Sequence, residues 1–97
     1  MTKAELAARI SEKTGVPQKE AITIVEAFMS VVKNSMCEGK NIYLRGFGTF
    51  YIKKRAKKPA RIISRGEQII IPAHNIVKFK PAPNFKKKLM KSLPVKD

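Results

Sequence analysis

Tryptophan is absent from this 97-residue chain, cysteine occurs once, and there are only seven acidic residues against 21 lysines and arginines. Each scarcity removes a class of protein. A single cysteine, Cys37, cannot form an internal disulfide, and a reducing, cytoplasmic setting is the expectation. A structural zinc site draws on about four Cys or His ligands. Cys37 and His74 are all the chain holds, so no metal site is expected and His74 reads as a structural or surface residue. No apolar run approaches the ~18–20 residues of a membrane span; the longest clean one is Ile69-Ile70-Ile71. Met1-Thr2-Lys3-Ala4-Glu5 lacks a basic segment leading into an apolar one, so no secretory signal is expected. There is no nucleophile–base pair, carboxylate dyad or Gly-rich phosphate loop. The chain is therefore not expected to be an enzyme or to carry a cofactor.

What is present is positive charge on an otherwise globular composition. The formal net charge is +14, the pI is near 10.3 and 43% of residues are hydrophobic, enough to fold. The charge is uneven. Residues 1–50 hold seven basic and five acidic residues, a net of +2; residues 51–97 hold fourteen and two, a net of +12. A one-signed excess of that size repels itself unless a polyanion neutralises it. Nucleic acid is the expected partner, ahead of an anionic membrane, and no small-molecule substrate is expected.

The order of elements follows from local signals. Thr2 and Glu5 have the spacing of a capping box before a short helix carrying Leu6 and Ile10. That helix should end near Lys13, with Gly15 as its C-cap and Pro17 opening the next. The second helix is predicted from Gln18 to Glu38, stopped by Gly39. Ala21, Val25, Phe28 and Val32 form one apolar stripe, and Ile22, Met29 and Met36 another, with Ile24, Ala27, Val31 and Cys37 beside them. A helix apolar over most of its circumference is buried on more than one side. Cys37 belongs to this set and is expected to be a small buried residue.

Asn41 to Arg45 predicts a short strand, Gly46-Phe47-Gly48 a tight turn, and Thr49 to Ile52 the return strand. Phe47, Phe50, Val77 and Phe79 should share a face, with Tyr43 and Tyr51 exposed. Lys53 to Arg61 then places six bases and Pro59 in nine residues. With a turn at Ser64 to Gly66 and an extended return from Glu67 to Pro72, this reads as a basic hairpin arm. Val77-Lys78-Phe79-Lys80 re-enters the body, alternating inward and outward. Phe85, Leu89 and Met90 define a last short helix whose other face holds Lys86, Lys87, Lys88 and Lys91.

Arm and tail leave a body of about 70 residues. A single core of that size rarely supplies more than ~3–5 kcal/mol without a staple. With no disulfide or metal available, an obligate dimer intertwined through residues 18–52 is expected. Its core would hold Val25, Phe28, Met29, Val32, Leu44, Phe47, Phe50 and Phe79.

These elements, in this order, resemble the bacterial HU and integration host factor family of DNA-bending proteins. The residues that carry the resemblance are Gly46-Phe47-Gly48-Thr49-Phe50, Gly66-Glu67, Ile71-Pro72-Ala73, and Phe79-Lys80-Pro81 leading to Phe85-Lys86, across residues 1–91. The resemblance implies an α+β fold: an intertwined dimer, homomeric or paired with a paralogue, with a helical body, a three-stranded antiparallel sheet per subunit and a long protruding β-hairpin arm. It divides a single domain over 1–97 into a body (1–52 and 76–91), an arm (53–75) and a tail (92–97). It further implies a histone-like, nucleoid-associated protein that wraps, bends and compacts double-stranded DNA with low sequence specificity through the minor groove.

On that reading Lys53, Lys54, Arg55, Lys57, Lys58, Arg61 and Arg65 neutralise phosphates and supply most of the affinity. Lys3, the turn at Gly46 and Gly48, and Lys80 and Lys86 are the implied body contacts. Pro83 stands where the family often has a lysine, and Lys87 and Lys88 supply charge beside it. Where the family's arm tip has an intercalating proline, this chain has Ile63, between the matching Arg61 and Gly66. Isoleucine is among the apolar side chains that minor-groove benders insert between base steps. Of Ile62 and Ile63, one is expected to pack across the arm on Ile69 or Ile70 and the other to wedge, with Ile63 as the wedge. The alternative partner is folded RNA, bound by a basic hairpin extension of a structural ribosomal protein.

Overall fold

The computed structural model describes residues 1–62 and 67–95. It divides into two compact units, residues 1–38 and 39–97.

The first unit is a helical hairpin, α1 (Lys3–Thr14) and α2 (Gln18–Cys37). Thr2 caps α1 as expected, its hydroxyl accepting from the Glu5 N–H at 3.2 Å. At the other end Gly15 takes the left-handed conformation (φ 81°), and its N–H donates to Ser11 O at 2.9 Å. The Thr14 hydroxyl donates to Ile10 O and accepts from the Val16 N–H, which shapes the turn into Pro17 and α2. Ala7 on α1 and Ala21 on α2 are both fully buried, small residues that let two helices close on each other. Twelve residues make α1 about 18 Å long and twenty make α2 about 30 Å, so α1 cannot cover its partner. Ile24, Phe28, Met29 and Val31 accordingly remain exposed on α2. Cys37, expected to be buried, is exposed. It is the last residue of α2, well past the reach of α1.

The second unit holds a three-stranded antiparallel sheet in the order β1 (Ile42–Leu44), β2 (Gly48–Arg55), β5 (His74–Pro81). A separate two-stranded sheet pairs β3 (Lys58–Ile62) with β4 (Glu67–Ile71), and α3 (Pro83–Ser92) closes the unit. The β1–β2 connection is the expected turn: Gly46 has φ 80° and the Phe47 N–H donates to Leu44 O at 2.9 Å. Asn41 ties down the start of β1 by accepting, through Oδ1, the Ile52 N–H at 3.1 Å. The Ala82 N–H donates to Phe47 O at 2.9 Å, which docks the turn against the start of α3.

The β2–β5 register is continuous, from Gly48 opposite Pro81 to Arg55 opposite His74. Side chains alternate between faces along a strand, so this register sorts the sheet. One face takes Leu44, Phe50, Ile52, Val77 and Phe79. Phe47, Phe79, Phe50 and Phe85 form a ring cluster, with centroids 5.3 Å apart for Phe47–Phe79, 5.5 Å for Phe47–Phe85 and 4.8 Å for Phe50–Phe79. Gly48 is required for space, since a Cβ there would stand 2.5 Å from Phe79 Cζ and 2.6 Å from Lys80 O. The cluster is not sealed: Phe47 is 48% exposed and Val77 64%.

Among the described residues only Ala7, Ala21 and Met36 are buried hydrophobics. Of the expected core, Val25, Val32, Leu44 and Phe50 are half-buried, while Phe28, Met29, Phe47 and Phe79 are exposed. No helix among the described residues is long and apolar enough to cross a membrane.

Candidate nucleic-acid interface

The opposite face of the sheet is cationic. Lys53 pairs with Ile76, Tyr51 with Lys78, Thr49 with Lys80 and Arg55 with His74. Alternation therefore puts Lys53, Arg55, Lys78 and Lys80 on one surface, with Tyr43 opposite Thr49 at its edge. His74 is exposed and its Nδ1 lies 3.0 Å from Pro72 O, in keeping with a structural reading of that residue.

This arrangement changes the weight of individual residues. Lys54, opposite Asn75, lies on the same face as Ile52 and Val77, away from Lys53 and Arg55. Lys78 lies outside the basic run of the arm, yet the register sets it between Lys80 and Lys53. Its signal lay in the alternation of Val77-Lys78-Phe79-Lys80.

The turn at Gly46 and Gly48 adjoins the N-terminus of α3, where a Cβ on Gly46 would stand 3.7 Å from Asn84 Nδ2. Pro83 occupies the first turn of α3 and Ala82 has no side chain to cap it. Helix N–H groups left without partners in this way suit phosphate oxygens. Lys86 and Lys87 are exposed in the first two turns of α3, which follows directly on the strand that holds Lys80. In the first unit Lys3 is already engaged, with Nζ 3.0 Å from Glu26 Oε1 and both side chains about half exposed.

In the two-stranded sheet Lys58 pairs with Ile71, Pro59 with Ile70, Ala60 with Ile69, Arg61 with Gln68 and Ile62 with Glu67. Ile62 thus does not stand opposite Ile69 or Ile70, whose partners are Ala60 and Pro59. Lys57 and Lys58 are exposed. Ile63, Arg65 and the expected turn at Ser64 to Gly66 lie outside the described residues.

A helical hairpin, a sheet with one apolar and one cationic face, and a basic two-stranded hairpin define an α+β nucleic-acid-binding module. Comparison with known proteins makes this specific. The chain belongs to the bacterial DNA-binding protein family, the group of HU and integration host factor, whose family model matches residues 1–90. It is 36% identical over 89 residues to integration host factor subunit alpha of Marinomonas sp., covering 92% of this chain and 91% of that protein. Against the same subunit of Proteus mirabilis it is 36% identical over 94 residues, covering 97% and 96%. Its structure is similar to HU in an Anabaena HU–DNA cocrystal structure, with a TM-score of 0.87 and 27% identity over 98% of this chain and 100% of that one. It is also similar to a variant of HU from Thermotoga maritima, with a TM-score of 0.68 and 25% identity over 92% and 99%. The family is one of histone-like proteins that bind and bend DNA, and is not an enzyme family.

Proposed function

We propose that this chain acts as a nucleoid-associated homodimer that wraps and compacts duplex DNA with low sequence specificity. The observation that carries the reading is the strand register that gathers Lys53, Arg55, Lys78 and Lys80 on one face of the sheet. A surface of lysine and arginine side chains positions a phosphate backbone and discriminates little between sequences. The solved Anabaena relative is a DNA complex, which supports the same partner.

Lys57, Lys58, Arg61 and Arg65 extend that charge along the arm. There the narrow, electronegative minor groove favours arginine and offers only a degenerate base pattern. Ile63 at each arm tip unstacks a base step and kinks the duplex, a cost of a few kcal/mol per step offset by the added contact surface. The turn at Gly46 and Gly48, with Lys80, Lys86 and Lys87, holds the flanking backbone, and Lys3 adds a contact from the first helix. Lys54, on the other sheet face, contributes charge without a direct contact.

Dimerisation is supported by what one chain leaves uncovered. Phe28 is 48% exposed and Met29 and Phe79 are each 38% exposed. The three buried hydrophobics among the described residues do not make a core, and burial of large apolar side chains is the main term in folding. The named relatives are alpha subunits of an assembly, so light scattering of the purified chain should settle its state. A stable dimer is expected, and a folded monomer at micromolar concentration would refute it.

The functional test is affinity for random-sequence duplex across a salt series. With the four sheet-face cations of each subunit neutralising about eight phosphates per dimer, log K should fall against log salt with a slope of about −7 or steeper. Structured RNA should compete poorly. Affinity that is flat in salt, or a preference for folded RNA, contradicts the reading.

A further inference from the structure

We propose that the cationic sheet face also carries a platform for unpaired nucleotides, built on Tyr43 and Tyr51. This rests on the reading of that face as the nucleic-acid side, and adds a second class of ligand to it.

Tyr43 stands opposite Thr49 on β2, and Tyr51 is the next residue of β2 on the same face. The two rings are therefore diagonal neighbours, within reach of one another's aromatic side chains. Tyr43 is 80% exposed and Tyr51 is half-buried. The ring contacts among the described residues are all between phenylalanines, and neither tyrosine takes part in one of them. Both line an open concavity of about 840 Å³, together with Thr49, Arg45 and Lys80. Sites for small ligands run to about that volume.

The chemistry of this basin differs from that of a duplex grip. Every base has a π-face, so exposed aromatic rings beside cations bind single strands with little sequence preference. In a duplex those faces are stacked inside and only base edges are offered in the grooves. Arg45 and Lys80 in the same lining suit the phosphates on either side of a stacked base. The ligand is therefore a single strand, whose bases are free to stack on the two rings.

The chain supplies its own probe, because Tyr43 and Tyr51 are its only tyrosines and it has no tryptophan. Intrinsic emission of the full-length protein thus reports this site alone. A twelve-residue oligothymidylate should quench it strongly, whereas a duplex of equal length and inorganic polyphosphate should leave most of it. Tyr43→Leu and Tyr51→Leu should each weaken oligothymidylate binding about tenfold. The Tyr43→Phe/Tyr51→Phe pair should restore it to within about twofold. All variants should bind duplex within about twofold of wild type. Oligouridylate in place of oligothymidylate shows whether the strand is RNA or DNA, and quenching by either supports the platform. Oligothymidylate bound without quenching, or leucine variants that lose single strand and duplex alike, would overturn it. If the wild type fails to bind duplex at all, the preceding reading falls; intact duplex binding with unquenched tyrosines removes only this one.

Discussion

Lys53 and Lys54 are adjacent in sequence and lie on opposite faces of the sheet. Lys53 is paired with Ile76 on the face that holds Lys78 and Lys80. Lys54 is paired with Asn75 on the face that holds Val77 and Phe79. A basic run that looks uniform is thus divided by the two-residue period of the strand. Lys53→Ala should reduce the slope of log K against log salt by about 1 per subunit, as expected for one lost phosphate contact. Lys54→Ala should change it by less than half as much. Equal effects measured by fluorescence anisotropy would mean that only total charge matters.

Gly48 offers a sharp test of the packing between the turn and β5. A methyl group there would meet Phe79 Cζ at 2.5 Å and the Lys80 carbonyl at 2.6 Å, and the latter is backbone that cannot rotate away. Gly48→Ala should cost about 1–3 kcal/mol by overpacking. Thermal unfolding would show a lowered Tm, and an unchanged Tm would show that the two strands separate easily.

The aromatic cluster should matter well beyond its exposure in one chain. Phe79 touches both Phe47 and Phe50, at 5.3 and 4.8 Å. Phe79→Ala should destabilise the dimer by about 3 kcal/mol or more, in the range of buried Phe truncations. Phe28→Glu should abolish dimerisation by burying an unpaired carboxylate. Denaturant unfolding at several protein concentrations measures both, and a concentration-independent midpoint would argue against the dimer.

Much of this fold could be read from local chemistry. Thr2, Gly15, Pro17 and Gly39 bracket the first two helices, and the structure places α1 and α2 within about one residue of those expectations. The Gly46-Phe47-Gly48 turn was equally visible, because glycine spacing dictates it locally. What could not be read depends on contacts distant in sequence. Phe85 stacks on Phe47 from the far side of the hairpin. Lys3 finds Glu26 only once the helices have packed. Cys37 followed the apolar pattern of α2 but lies at its exposed end. The return strand was expected to end at Ile52, because a run of lysines and arginines carries no polarity pattern; that β2 continues to Arg55 is what puts Lys54 on the face of Phe50 and Ile52 and Lys53 on the other.

The Lys3–Glu26 pair gives a fourth expectation. Both side chains are about half exposed, so the pair contributes at most ~1 kcal/mol to stability. It nonetheless competes with phosphate for the Lys3 ammonium. Glu26→Gln should therefore raise duplex affinity a few-fold at low salt, with little change in Tm. No change in affinity at low salt would remove Lys3 from the contact surface.

Bending of the bound duplex is the property from which wrapping and compaction follow. The most direct measurement is energy transfer between dyes at the two ends of a duplex of about 40 base pairs, which is stiff on that scale. Transfer should rise on titration and saturate at one dimer per site, and Ile63→Ala should lower the plateau more than it weakens affinity. Saturable binding with transfer equal to that of free DNA would contradict the account.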